Sequence, residues 1–514
     1  MSHLLSIVLG FLTYSSNVLG SQTPLGSCTL DACLTNLPYR VVLPDSPNYA
    51  LASRAYNRRL TIHPIGVVYP TTPAEVSAAV LCASSCGTPV VARSGGHSYA
   101  GYSLGGQDGS LVVDLSGLNG VVFESEGEIM HVQTGNRLGD VANALKGVGR
   151  ALPHGTCPPV GLGGHAAFGG FGFASREWGL LLDRMIGAEI VLADGRVVNA
   201  SLEENPDLFW AIRGSVSSFG IATSYTFVTL PEPPVTTPYS YVFAGNASSA
   251  AQCFFAFQEF SATSAPPPLG MQFSIIPDLT YELFGSYTGP KEDFEAAFLP
   301  LVRECEKTSD QHSGTHEFAQ EMGWEAYLVS QAGTPPRVAD CFYAKSLMTA
   351  ESTPLSLSTI ENFMNYLYTE GPKHGHLSWF VEVDVYGGVG SAINAVPKLD
   401  TSFTHRDRLL GFQLYASSGN LRPPFPENGY AFVDGMAEAL RSGSESASFG
   451  SYANYVDPLL KEQDWKMMYY GKEIYERLTT IKAKWDPDAV FNFPQVIPPP
   501  LEAEKEGRRV VDEL

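Results

Sequence analysis

Gly161-Leu162-Gly163-Gly164-His165-Ala166-Ala167-Phe168-Gly169-Gly170-Phe171-Gly172 places six glycines in twelve residues. Each glycine inside a helix or strand costs about 0.5–1 kcal/mol relative to alanine, so the run predicts neither element. Such density suits a backbone that approaches a ligand closely and offers its N–H groups as an anion cradle. A flexible linker would be rich in serine or proline and would not interleave Leu162, Phe168 and Phe171. No Gly-Lys-Ser/Thr follows, which excludes a Walker loop. Asp183 precedes the next strand instead of ending it, which argues against a Rossmann fingerprint. A pyrophosphate-bearing cofactor held in another way fits best.

Two loops precede the run: Arg93-Ser94-Gly95-Gly96-His97-Ser98-Tyr99 and Gly155-Thr156-Cys157-Pro158-Pro159. Each sets one reactive side chain, His97 or Cys157, among small residues. An imidazole and a thiol so placed can be nucleophiles, metal ligands or attachment points for a cofactor. Metal binding is disfavoured because His97, His154, Cys157 and His165 show no Cys-x-x-Cys or His-x-x-x-His spacing. His312 and His316 have that spacing and His374 and His376 alternate, yet neither pair has a third ligand nearby, so surface histidines are expected and no metal site. Pro158 removes an N–H that a cysteine protease would want for its oxyanion hole.

Around these loops, residues 61 to 230 alternate between strand and helix patterns. Pro73 to Cys82 predicts a helix with Pro and Glu in its first turn. Pro89 to Ala92, Leu111 to Leu115, Ile129 to Gln133 and Ile186 to Leu192 predict strands, the last leading into an Asp194-Gly195 turn. From Pro231 onward proline clusters and aromatic-rich strands mark a second domain. A helix from Asp464 through Lys484, stopped by Asp486-Pro487, closes the chain.

The 514 residues exceed one ordinary core and predict two or three domains. A net charge of −21 excludes a nucleic-acid partner, which needs a basic surface. Leu4 to Leu12 is an apolar run too short to span a bilayer, followed by Val18-Leu19-Gly20, so residues 1–20 read as a signal peptide and no membrane span is expected. A secreted protein follows, with Asn199 and Asn246 as glycosylation sequons. The terminal Val511-Asp512-Glu513-Leu514 differs from an endoplasmic-reticulum retention signal at one position and keeps that compartment as the alternative. Most of the eight cysteines should then pair. If Cys157 is spent on another task, at least one further thiol is left over.

Ser94-Gly95-Gly96-His97-Ser98-Tyr99, Gly155-Thr156-Cys157-Pro158 and the glycine run resemble the FAD-linked oxidases of the berberine bridge enzyme type, in the vanillyl-alcohol oxidase superfamily. The resemblance continues through Asn205 to Gly214, Thr404-His405-Arg406-Asp407, Asn454-Tyr455-Val456-Asp457 and Lys484-Trp485-Asp486-Pro487. It spans nearly the whole mature chain and is strongest to fungal glucooligosaccharide and chitooligosaccharide oxidases. It implies an α+β fold: a two-part FAD-binding domain over 21–231, a substrate domain with a helix-covered antiparallel sheet over 232–447, a segment over 448–500 completing the FAD domain, and an acidic tail over 501–514.

The same resemblance implies FAD attached twice, through His97 to the 8α-methyl and through Cys157 to C6. Ser94, Gly95, Gly96, Ser98, Tyr99, Gly161, Gly163, Gly164, His165, Gly169, Gly170, Gly172 and Gln495 are the further cofactor contacts it nominates, with Cys33 and Cys82 as one disulfide. It implies hydride transfer to flavin N5 while Tyr455, assisted by Asp384, takes the hydroxyl proton. A tyrosine with a pKa of ~10 needs such help at neutral pH. Tyr99 and Glu382 are the nominated substrate contacts, and Glu382 departs from the glutamine usual in the oligosaccharide oxidases. Val160, three residues after the cysteine, is small enough for O2 to reach the ring. The expectation is a monomeric oxidase that converts an oligosaccharide's C1 hydroxyl to the lactone and releases H2O2. An oxidase or dehydrogenase of a secondary metabolite or aromatic alcohol is the alternative.

Overall fold

The computed structural model describes residues 29–309, 317–331, 339–443 and 449–500. The signal segment, Cys28, the His312/His316 pair and the Val511–Leu514 terminus lie outside the described residues.

Valine-rich segments with no polar alternation form a four-stranded sheet. Its order is Arg40–Val42, Gly66–Tyr69, Leu111–Asp114 and Val90–Arg93, the last three strands running parallel. Val67, Val68, Val90, Val91, Leu111, Val112 and Val113 are all buried, as a parallel sheet covered on both faces requires. The helix Pro73–Ser85 covers one face. The Thr72 hydroxyl accepts the Glu75 N–H at its start, and the Glu75 carboxylate accepts the Thr71 N–H at 2.6 Å.

A second, antiparallel sheet has the order Val121–Glu124, Ile129–Gln133, Ile221–Val228, Met185–Val191 and Val197–Ser201. Its last hairpin turns at Asp194-Gly195, where Gly195 takes φ +80°. The chain then builds a seven-stranded sheet in the order Glu317–Ala319, Thr237–Phe243, Tyr281–Tyr287, Leu269–Ile275, Leu377–Val385, Arg408–Ser418 and Phe342–Ala350. One face packs on the helices Ala247–Thr263, Lys291–Thr308, Leu357–Glu370 and Glu427–Arg441 through residues such as Phe254, Phe298, Phe363, Val433, Trp379, Val381 and Val383. The arrangement is α+β, with the helices on one side of a largely antiparallel sheet.

The C-terminal segment returns to the first half of the chain: Trp465, Tyr469 and Leu478 join the core around Phe209 and Trp210. The single helix expected over 464–484 is two helices, Glu462–Tyr469 and Gly471–Trp485. Gly471 sits at φ +69°, a left-handed conformation that ends one helix before the next begins. Asp486 ends the second. Its carboxylate accepts the Val490 and Phe491 N–H groups and pairs with the fully buried Lys482, which also donates to the Ser218 and Phe491 carbonyls. Phe491 in turn bridges to Val90, so this end of the chain extends the first sheet.

Arg176 fastens the two halves. It is buried and donates to the carbonyls of Ala265, Pro266, Leu269 and Gly387, all in the seven-stranded half. Cys33–Cys82 and Cys253–Cys305 form disulfides, Cys86 is disulfide-bonded as well, and Cys157 and Cys341 are free thiols. No helix among the described residues is long and apolar enough to cross a membrane.

Candidate active site

The glycine run does enter a helix, contrary to the sequence expectation: Leu162–Ala167 is helical. The glycines are needed at its entry, where two backbones touch. A Cβ on Gly161 would lie 2.0 Å from the Gly95 nitrogen, and one on Gly95 would lie 2.2 Å from the Gly161 nitrogen. This contact brings the His97 loop against the Cys157 loop. Ser94 locks it by donating to the Thr134 carbonyl (2.5 Å) and accepting the Gly163 N–H (3.1 Å). Arg137, which the sequence reading passed over, donates to the carbonyls of Pro159 and Gly95. Ser98 holds its own loop by accepting the Tyr102 N–H.

His97 and Cys157 thereby line one cavity of about 440 Å3. Ser94, Gly95, Gly96, Ser98, Tyr99, Gly161, Gly163, Gly164, His165, Gly172 and Gln495 share its wall. Tyr56 stacks on the His97 ring with centroids 3.6 Å apart. His165 accepts the Gly155 N–H at 3.0 Å and so shapes the turn before Cys157. Burial, reinforced by His154 and His97, pushes its pKa down to about 3, so it remains a neutral acceptor. Gly169 and Gly170 are not in the cavity wall. Their missing side chains make room for the Tyr452 ring and for Leu181, and the Gly170 N–H donates to the Tyr452 hydroxyl. His374 and His376 are not in this wall: His374 stacks on Phe432 and His376 meets Asn428.

The opposite wall is the uncovered face of the seven-stranded sheet. Along Leu377–Val385, Trp379, Val381 and Val383 enter the helix-covered core, so Phe380, Glu382 and Asp384 take the other face. Register adds the neighbours: Asp384 lies opposite Gln272 and Gly411, and Glu382 opposite Ser274 and Gln413. Gln272 donates to Asp384 at 2.6 Å, and Gln413 donates to the Tyr99 hydroxyl at 2.7 Å. Neither glutamine was singled out from sequence, although each is a polar residue at an alternating position of an apolar strand.

Tyr455 stands between the walls. Its ring stacks on Tyr99 at 5.7 Å and meets Tyr452 edge-on at 5.1 Å. Its loop is pinned through Asp457, which pairs with Lys345 (2.7 Å), donates its N–H to the Tyr469 hydroxyl and gives its carbonyl to Gln495. Burial, with the Asp384 charge next, drives the Tyr455 hydroxyl well above its ordinary pKa. Burial and then the Glu382 charge push Asp384 up to about 8, against the opposing Gln272 hydrogen bond. A carboxyl of that proton affinity can accept a proton near neutral pH, whereas a phenolate is not populated there.

Comparison with known proteins is consistent throughout. Residues 64–201 match the FAD binding domain family and residues 451–498 the "Berberine and berberine like" family. A chitooligosaccharide oxidase of Gibberella zeae is 35% identical over 96% of this chain and 98% of its own. A xylooligosaccharide oxidase of Thermothelomyces thermophilus is 36% identical over 91% and 94%. A solved glucooligosaccharide oxidase from Acremonium strictum, described as carrying 6-S-cysteinyl, 8α-N1-histidyl FAD, superposes with TM-score 0.85 at 30% identity over 92% of this chain and 99% of its own. The site fits a flavin dinucleotide on its own terms. The backbone cradle at Gly95 and Gly161 admits no side chain, a thiol and an imidazole face one cavity, and the buried Gln495 Oε1 in its wall is an unused acceptor. The chain belongs to the berberine bridge enzyme-like FAD-linked oxidases, and it is an FAD-dependent oxidoreductase acting on CH–OH groups.

Proposed function

We propose that the protein oxidises the C1 hydroxyl of a reducing oligosaccharide to the lactone and passes the two electrons to O2, giving H2O2. FAD, held through both His97 and Cys157, supplies the two-electron acceptor when bound. The observation that carries the reading is the opposition of the two cavity walls. Tether residues stand on one, the polar face of Gln272, Glu382, Asp384 and Gln413 on the other, and Tyr455 lies between them.

Tyr455 takes the C1 hydroxyl proton as C1 loses its hydride and passes its own phenolic proton to ionised Asp384, so that the pair accepts one proton in all and the phenol stays neutral. Tyr99, fixed by Gln413 and stacked on Tyr455, orients the sugar. Val160 borders the cavity beside the Cys157 loop and leaves room for O2. On this reading residues 21–231 and 448–500 hold the flavin, and the substrate domain over 232–447 holds the sugar.

Entry into the secretory pathway agrees with the paired cysteines. It also agrees with the exposure of Asn199 and Asn246. Asn246 caps a helix through Oδ1, which leaves Nδ2 for a glycan. We take the protein to act as a monomer. A peroxide-coupled screen across mono- and oligosaccharides and aromatic alcohols tests the activity. Peroxide from reducing oligosaccharides is the expected result, and peroxide from aromatic alcohols with none from sugars would overturn it.

A further inference from the structure

Attachment of FAD through His97, on which this inference rests, requires one imidazole nitrogen to be held at bonding approach to a methyl carbon. His97 follows Gly95-Gly96, with Gly96 at φ +71°, so the placement of its ring depends on what packs against it. Tyr56 packs there. The two ring centroids are 3.6 Å apart with the planes at 28°, and both residues line the cavity. Tyr56 is itself fastened through its neighbours. Its carbonyl accepts the Asp340 N–H (3.1 Å), and the Asp340 carbonyl accepts the Arg58 N–H (2.6 Å). The buried Asn57 side chain donates to the Tyr99 carbonyl (2.8 Å) and accepts the Phe342 N–H (3.2 Å). Arg59 donates to the Phe342 carbonyl (2.9 Å). Residues 56–59 thus tie the entry of the strand Phe342–Ala350 to the His97 loop, two residues beyond the histidine. Cys157 is held by other groups: Arg137 donates to the Pro159 carbonyl, and the Cys157 carbonyl accepts the Val160 N–H.

We propose that Tyr56 is the positioning residue for the histidyl bond: its ring fixes the plane of the His97 imidazole so that one nitrogen meets the 8α-methyl of FAD. The bond joins that nitrogen to the 8α carbon. The nitrogen and the methyl group each give up one hydrogen. Those two protons and two electrons reduce the flavin, and O2 reoxidises it with release of H2O2. Such a bond forms only when the reacting atoms are close and aligned, and a misplacement of about 1 Å costs about a hundredfold in rate. Tyr56 acts through the face of its ring, not its hydroxyl, and has no part in the thioether at Cys157.

The test counts each bond separately in the purified full chain. The mass of the denatured protein gives the total bound flavin, and peptide mapping assigns it to the His97 or the Cys157 peptide. In Cys157→Ala, where only the histidyl bond can form, most chains should retain FAD. Adding Tyr56→Leu should lower that fraction about tenfold or more, and Tyr56→Phe should keep it. With Cys157 present, Tyr56→Leu should still carry flavin, on the Cys157 peptide alone. An unchanged His97-linked fraction in Tyr56→Leu overturns the proposal. Equal loss of both bonds does so too, because it makes Tyr56 a general support of the fold. A loss in Tyr56→Phe as large as in Tyr56→Leu assigns the effect to the hydroxyl and likewise overturns it. Release of all FAD from Cys157→Ala while His97→Ala retains it is a different failure, which removes the histidyl attachment itself and this proposal with it.

Discussion

Replacing Glu382 by glutamine tests whether Asp384 owes its proton affinity to its neighbour. The two residues are separated by one position on the same strand face, so their carboxyl groups lie about 7 Å apart at ordinary strand rise. At an effective dielectric of about 20, two unit charges at that separation repel by about 2 kcal/mol, or about 1.5 pKa units. Solvent reaching the half-buried Glu382 trims this to about one unit. With Asp384 titrating at about 8 in the wild type, kcat/KM for a neutral oligosaccharide should climb close to tenfold per pH unit below that point and level off above it. In Glu382→Gln the bend should move to about pH 7, leaving the variant relatively more active in acid. The assay is the pH dependence of kcat/KM by peroxide release, since that ratio reports the free enzyme. A bend that stays within about 0.3 unit of the wild type would refute the coupling, leaving burial as the whole cause.

Asp384→Asn should remove a pH-dependent cost. A carboxyl whose folded pKa is raised favours the folded state below the ordinary value of 3.8 and loses that contribution as pH rises through about 8. Wild-type stability should therefore decline between pH 5 and pH 9 by up to about 4 kcal/mol more than that of Asp384→Asn, measured by urea unfolding, while activity falls about a hundredfold or more. Lys482→Met leaves Asp486 buried without its cation and should cost about 3–5 kcal/mol in the same unfolding assay. Mass spectrometry of denatured protein should show FAD retained in His97→Ala and in Cys157→Ala and released in the double variant, and release from the unaltered protein would end the covalent assignment. Gly161→Ala, whose Cβ meets the Gly95 backbone, should destabilise by about 3 kcal/mol and lower the flavin content per chain read from absorbance.

How much was legible beforehand varies by kind of residue. The valine strands, the capped helix at Pro73 and the Asp194-Gly195 turn follow from local pattern, and the structure places them where the pattern does. The glycine run was legible as a backbone meeting something closely. Its nearest partner turns out to be another backbone, at Gly95, and two of its six glycines, Gly169 and Gly170, make room for Tyr452 and Leu181. The break at Tyr470-Gly471 was missed because the apolar stripe continues across it. Gln272 and Gln413 were missed because one polar residue in an apolar strand has meaning only when its neighbours across the sheet are known. Arg176 looks like any surface arginine until five carbonyls from distant segments are seen around it.

By itself the sequence determined the two loops that carry His97 and Cys157, the glycine-dense backbone that follows them and the family, because these are short-range motifs whose chemistry resides in adjacent residues. Only the tertiary structure decided what stands across the cavity. Asp384 acquires its raised proton affinity first from burial by strands far apart in the chain and then from the neighbouring Glu382, and Tyr455 is pinned through contacts of Asp457 with the distant Lys345 and Gln495. A pKa depends on what surrounds a group in space, and that surrounding is assembled by the packing of two sheets.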